Sequence, residues 1–296
     1  MVVMNESFSD LTTYLEGCET STDPMPYVRL LMNRGDVVSG TCAVSSDMGT
    51  GTANSEFEFL TGNSMAYFKG NTPYVQFIDT ETPSLASLLA GHSTMAMHAY
   101  ERAGYNRVKV YDRFGFEVYK GIEDFDVDLD YARGYPTDEA NYRQLISYLE
   151  TVDEPMVVLF FGDHEPRLSN EFYSNWFADE NDLDLETTAQ LHKTPFFMWG
   201  NYNLNTESIQ KGSVVSLNYL STVLFQTAGV QLSPYQEYLA DLRMEHPVIT
   251  ARYFTTAFGD KVGTAPSAFT DSIHEYQWLQ YNCVFDRAHR IPGFYS

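Results

Sequence analysis

MVVLFFGDHEP, residues 156–166, sets the fold. Its apolar run Met156–Phe161 stops abruptly at Gly162-Asp163-His164. A run this short reads as a strand, and one that is apolar at successive positions reads as covered on both faces, as in a parallel sheet. Three other segments behave alike: Met1–Met4 runs into Asn5-Glu6-Ser7, Thr94–Met97 into His98, and Pro195–Trp199 into Gly200-Asn201-Tyr202. Helical patterns lie between them, at Ser84–Ala90 after Pro83 and at Asn141–Glu150. Alternating strands and helices predict an α/β fold with a mostly parallel central sheet flanked by helices. The 296 residues are read as one catalytic domain, with an α/β part over 1–212 and a smaller α+β subregion over 213–296. In the latter, Val214–Thr227 and residues 233–243 read as helices.

Ligands of open parallel sheets sit beyond the carboxyl ends of the strands. Glu6, His98, Asp163 and His164 all fall there. A carboxylate closing a buried strand, as Glu6 does, needs a partner. At a strand end the chain leaves the pleat, so the adjacent Asp163 and His164 can turn to one site. Thr52 follows the glycine-bearing turn of MGTGTANSEFEFLTG (48–62) and opens a predicted helix. The free N–H groups and dipole there favour an anion. Its hydroxyl can cap the helix or, beside a cation, attack phosphorus. Glu6, Asp163, His164 and the Thr52 oxygen form a mixed oxygen and nitrogen set that suits Mn²⁺, with Mg²⁺ and Zn²⁺ as alternatives.

Composition narrows the function. Eighteen basic and 40 acidic side chains give a net charge of −22, which disfavours nucleic acid and demands local cations for any anionic substrate. The acidic stretches Glu123–Asp130 and Ala178–Glu186 read as solvated loops or helix faces. Cys18, Cys42 and Cys283 are too scattered for a zinc site or a disulfide framework. No apolar run is long enough to span a bilayer. The chain is read as a domain cut from something longer.

VVMNESFSD (2–10), GTANSEFEFLTGNS (51–64), FFGDHEP (160–166), TPFFMWGNY (194–202), VSLNYLSTVLFQTAGVQLSPY (215–235) and YQWLQYN (276–282) together resemble the lipoteichoic acid synthases. These belong to the phosphoglycerol and phosphoethanolamine transferases of the alkaline phosphatase–sulfatase superfamily. The resemblance covers nearly the whole chain in order. It implies Thr52 as nucleophile and metal ligand, and Glu6, Asp163 and His164 as the other ligands. It implies a substrate site of His98, Tyr105, Asn106 and Arg107, with Arg107 clamping phosphate. It further implies phosphatidylglycerol as donor and a cell-envelope polymer or glycolipid as acceptor. The location implied is the extracellular face of a bacterial cytoplasmic membrane, with the anchor outside this chain. Tyr105 stands where the family often has Trp. The Cys-x-Pro-x-Arg motif of sulfatases is missing.

One family feature has no match. An Asn-His pair should end a strand before the GDH strand, yet Phe116–Phe160 contains no histidine. A segment is therefore expected to be missing near Thr137-Asp138. Two rival readings remain at this point: a phosphoethanolamine transferase or phosphodiesterase of the same superfamily, and a non-catalytic polymer-binding domain.

Overall fold

The computed structural model describes residues 1–89, 91–132, 134–149, 153–177 and 183–295. Eleven strands form among them: β1 (Val2–Asn5), β2 (Val38–Ala43), β3 (Met95–Met97), β4 (Val118–Lys120), β5 (Tyr131–Ala132), β6 (Tyr135–Pro136), β7 (Val157–Gly162), β8 (Lys193–Gly200), β9 (Val214–Ser216), β10 (Tyr253–Thr255) and β11 (Lys261–Gly263). The central sheet has the order β1-β7-β8-β2-β9. β1 pairs in parallel with β7, so that Asn5 lies opposite Gly162. β2 pairs in parallel with β9. β8 is antiparallel to both β7 and β2. Four of the five strands therefore run one way.

Two placements differ from the sequence reading. Pro195–Trp199 belongs to the one reversed strand of the central sheet, whereas a parallel strand is expected from its sequence. The helix Leu185–Leu191 ends at His192 and passes straight into β8, which starts at the sheet edge where β7 ends and returns across the sheet. An apolar run carries no mark of its direction. Second, β3 pairs in parallel with β4 in a separate two-stranded sheet. β1 is left at the edge of the central sheet, and no strand pairs with its other side among the described residues. The helix Asp138–Leu149 follows β6 almost directly, and residue 150 lies outside the described residues.

The predicted helix at Val214–Thr227 is observed as Leu217–Ala228. Val214–Ser216 instead extends the sheet, as suits a β-branched pair beside an open strand. Residues 233–243 form the helix Pro234–Glu245, whose start is fixed by a capping box between Ser233 and Gln236. Ser84–Ala90 contains the short helix Leu85–Leu88; residue 90, and residues 178–182 of the acidic stretch, lie outside the described residues.

The helix Thr52–Thr61 fills the space between the sheet and the C-terminal part. Ala53, Phe57, Phe59 and Leu60 join Phe161, Phe196, Leu220 and Tyr276 in the main core. Buried Glu58 accepts hydrogen bonds from the Ser45 hydroxyl (2.7 Å), the Ser64 hydroxyl (3.3 Å) and the Met65 N–H (2.7 Å). Those bonds fix the helix against the loops at both its ends. At the other side of the sheet edge, the loop after β1 presses on β7. A Cβ on Gly162 would lie 1.8 Å from the Phe8 carbonyl oxygen.

Only glycine fits there, and the site depends on that contact. Gly162→Ala is expected to push the Phe8 loop off β7 and to destabilise the fold by about 1–3 kcal/mol. Denaturant midpoints would measure this. A midpoint equal to wild type would show that the loop yields freely.

Candidate active site

The parallel pairing of β1 with β7 delivers Glu6, Asp163 and His164 to one point. Ligand atoms of these three lie within 4.8 Å of one another. Asp163 and His164 are fully buried, while Glu6 is open to solvent. The backbone is bent to achieve this: Ser7, directly after Glu6, has φ 54°, a left-handed conformation that a non-glycine residue adopts at a cost. Its N–H donates to Asp163 Oδ1 (2.8 Å), as does the His164 N–H (2.8 Å). The other carboxylate oxygen, Oδ2, is buried without a hydrogen-bond partner.

Thr52 joins the three from the neighbouring helix. Gly51 precedes it at φ 93°, and the Ser46 hydroxyl bonds the Gly51 carbonyl (2.8 Å). Ser55, one turn on, donates to the Asp163 carbonyl (2.7 Å), tying the helix to the end of β7. The Thr52 hydroxyl then donates to Glu6 Oε2 (2.9 Å) and lies 3.3 Å from His164 Nε2. Thr52 is the first helical residue, so its oxygen faces the exposed N–H end of the helix.

These residues fit a divalent cation. Asp163 Oδ2 is a buried acceptor with no hydrogen bond, and the His164 ring at 3.2 Å is the positive group that meets it, in a place a cation could take. His164 Nε2 stands within 3.3 Å of both carboxylates. Its Nδ1 lies 3.0 Å from the Glu165 carbonyl, which directs Nε2 toward the cluster.

The charges report the same crowding. Burial pushes the Asp163 carboxyl up to about 7, and Glu6 adds to that against the pull of His164. Burial opposes charge on His164, but the Glu6 hydrogen bond and the Asp163 charge prevail and raise it to about 9. Glu6, which burial alone would raise, is held down at about 2 by the hydrogen bond and charge of His164, with Thr52 and Ser7 donating as well.

The remaining predicted residues form a second group. His98 follows β3, with Nδ1 buried and unpartnered. Burial and the Arg107 charge push it down to about 4, while Glu56 and Glu6 pull the other way, so it is neutral near pH 7. Tyr105 (φ 54°) and Asn106 (φ 61°) are both left-handed. With Ser7, they are the three non-glycine residues of positive φ among those described. Arg107 lies behind them, 1% exposed, its guanidinium stacked under the Tyr105 ring at 5.3 Å. Its Nε (3.1 Å) and Nη2 (2.9 Å) both donate to Glu56 Oε2, and Tyr111 donates to the other carboxylate oxygen. Glu56 is one turn beyond Thr52, so this buried pair fastens the Thr52 helix to the helix Arg107–Phe114.

Two residues at the site escaped the sequence reading. Glu165 is wholly buried, and neither carboxylate oxygen has a hydrogen-bond partner. His192 Nδ1 lies 3.5 Å away. His192 reaches this edge because β8 is reversed. Glu165 stood in the quoted GDHEP segment, but its burial had no signal in one sequence.

With the geometry described, comparison places the chain among known proteins. The family profile named Sulfatase matches residues 1–142. Streptococcus pyogenes phosphoglycerol transferase GacH, solved in complex with sn-glycerol-1-phosphate, superposes with a TM-score of 0.74 at 16% identity, covering 96% of this chain and 85% of GacH. The fold is that of the alkaline phosphatase superfamily. The lipoteichoic acid synthase LtaP from Listeria monocytogenes superposes with a TM-score of 0.62 at 15% identity, over 96% of this chain and 92% of LtaP. A Vibrio parahaemolyticus protein of the same superfamily gives a TM-score of 0.56 at 12% identity, over 86% and 73%. Among curated proteins, a Rhizobium meliloti (strain 1021) protein provisionally named for cyclic beta-1,2-glucan modification is 24% identical over 369 residues. That match takes in 100% of this chain and 56% of the relative's length.

Two tests follow. Cation binding must expel the His164 proton and find Asp163 ionised, so Mn²⁺ affinity is expected to rise from pH 6 to 9, by up to about tenfold per pH unit for each proton released. Calorimetric titration at several pH values would show it, and a flat profile would contradict the ligand set. In the metal-free protein, His164 contributes stability that is fully present below its ordinary value and lost as pH rises through about 9. Glu56→Ala strands a buried guanidinium and is expected to cost about 3–5 kcal/mol, read by chemical denaturation. A loss below about 1 kcal/mol, that of an exposed pair, would show that Arg107 is not pinned.

Proposed function

We propose that this chain is the catalytic domain of a metal-dependent phosphoglycerol transferase, which moves glycerol phosphate from phosphatidylglycerol to a cell-envelope acceptor through a phospho-threonine intermediate. The observation that carries the reading is the Thr52 hydroxyl at a helix N-terminus, 2.9 Å from Glu6 and 3.3 Å from His164, where two carboxylates and an imidazole converge. The likeness to GacH and LtaP supports the reaction type.

Glu6, Asp163, His164 and Thr52 would hold the cation, Mn²⁺ in the first instance and Mg²⁺ or Zn²⁺ as alternatives. When bound, it supplies positive charge against the phosphoryl oxygens and acidifies the threonine hydroxyl. Thr52 Oγ1 forms the new bond to phosphorus, Glu6 orients its hydroxyl, and its proton passes to solvent. The bond from phosphorus to the diacylglycerol oxygen breaks, and that oxygen takes up a proton. An acceptor hydroxyl then attacks the same phosphorus, gives up its proton, and frees Thr52, which regains one. This two-step exchange is ping-pong. Neutral His98, with Tyr105 and Asn106, lines the phosphoryl side. Arg107, paired with Glu56 in the interior, braces the Tyr105-Asn106 turn and the Thr52 helix from behind.

A lipid donor implies a membrane surface, and the family resemblance makes it the extracellular face of the cytoplasmic membrane. Among the described residues no helix is long and apolar enough to cross a membrane, so the anchor would lie outside this chain. The alignment with the Rhizobium protein spans 369 residues where this chain has 296, and β1 has an open edge. Both support a segment missing from this chain; its place near Thr137-Asp138 rests on the expected Asn-His strand alone.

The test is diacylglycerol release from phosphatidylglycerol with Mn²⁺, wild type beside Thr52→Ala. The wild type is expected to release it and Thr52→Ala to lose at least about 1000-fold while remaining folded. An active Thr52→Ala would overturn the mechanism. Preference for phosphatidylethanolamine would favour a phosphoethanolamine transferase, and inactivity toward both lipids a polymer-binding domain.

A further inference from the structure

The helix Asp271–Val284 turns one face into the core and the other to water. Ile273, Tyr276, Gln280 and Cys283 are buried. Trp278, Tyr281 and the capping residue Phe285 are 71%, 59% and 45% exposed. Their spacing of three and then four residues puts them on one side of the helix. Exposed apolar side chains scattered singly are ordinary, but three large aromatics along one face mark a surface that meets something. No charged residue occurs from Tyr276 to Phe285, in a chain of 18 basic and 40 acidic side chains.

One short segment joins this face to the candidate active site. The Phe285 ring lies 5.2 Å from Phe77 and 5.9 Å from Phe68. Phe77 ends the helix Pro73–Gln76, on which Val75 is 61% exposed. The same segment touches the site from its other side. The Asn106 side chain donates to the Tyr74 carbonyl (3.4 Å), and the side chain of Asn54, two residues from Thr52, donates to the Asn71 carbonyl (3.4 Å). The charge balance also changes beside the aromatics. Residues 286–296 hold two arginines and a histidine against one aspartate, whereas the whole chain carries −22. Arg287 pairs with Glu81 (3.1 Å). Arg290 donates to the carbonyls of Glu81 (3.1 Å) and Cys283 (2.8 Å), and no carboxylate among the described residues pairs with it.

We propose that the face of Trp278, Tyr281 and Phe285, continued by Val75, rests on an anionic lipid bilayer. The choice of occupant rests on the transferase reading, in which a lipid must reach Thr52 from a membrane. Trp and Tyr rings suit the headgroup level, with an apolar body for the acyl region and a polar edge for water. Arg287 and Arg290 supply positive charge for lipid phosphates, while the acidic remainder of the surface is repelled by them. Val75 and Phe285 then give the donor's acyl chains an apolar border between the bilayer and the site.

Vesicle flotation with the full chain reads docking apart from turnover. The wild type is expected to float with phosphatidylglycerol vesicles and less with phosphatidylcholine vesicles. Trp278→Ala, and Tyr281→Ala combined with Phe285→Ala, should each weaken binding about tenfold. Tyr27→Ala, which removes an exposed aromatic from the helix Pro26–Met32, should leave it unchanged. Circular dichroism would confirm that each variant is folded. In a second arm, the docking variants should lose diacylglycerol release from long-chain vesicles and keep it on water-soluble dihexanoyl phosphatidylglycerol. The proposal is overturned if the wild type does not float, if the Ala variants float equally well, or if sedimentation shows that they split a dimer, which would make the face a contact between copies. Docking that depends on these aromatics, with no release from either lipid form, would strike the transferase reading and leave the docking face standing.

Discussion

The register of β1 on β7 governs the rest. Asn5 opposite Gly162 puts Glu6 and Asp163 at the same height beyond two adjacent parallel strands. A slip of one residue would turn the side chains of β1 to opposite faces and separate the ligands. Gly162 permits the close approach of the Phe8 carbonyl, and the left-handed Ser7 turns its N–H onto Asp163. The Thr52 helix is then brought up by Ser55 against the Asp163 carbonyl and fixed from behind by Glu56 and Arg107. Each tie is local, but together they hold acidic groups near one another where charge repulsion and desolvation oppose it. The raised Asp163 value is the sign of that opposition.

Much of this was legible in the sequence because each candidate ligand ends an apolar run or follows a glycine-bearing turn. Glu6, Thr52, Asp163 and His164 could be named from those breaks, and the structure brings them together. The helix Thr52–Thr61 and the strands bearing Glu6 and Asp163 likewise follow from pattern. What pattern lacks is direction and partnership. Nothing in Pro195–Trp199 says that the strand runs backward, so His192 could not be placed beside Glu165. Thr94–Met97 reads like the other strands, yet its partner is β4 and not the central sheet.

Arg107 shows a different limit. Its place after Tyr105 and Asn106 suggests a residue reaching for phosphate, and in the structure its guanidinium is buried on Glu56. A single sequence cannot separate a cation that meets ligand from one that braces the scaffold, since both are arginines near the site. The distinction lies in burial and in the carboxylate facing it. The left-handed backbone at Tyr105 and Asn106 is equally invisible to periodicity.

The account stands on Thr52 forming a bond to phosphorus. Mass spectrometry of the protein after brief mixing with phosphatidylglycerol and Mn²⁺, with acceptor withheld, would test this most directly. A glycerophosphoryl group on the peptide carrying Thr52 is predicted. Diacylglycerol release with no adduct, or with the adduct on another residue, would contradict it.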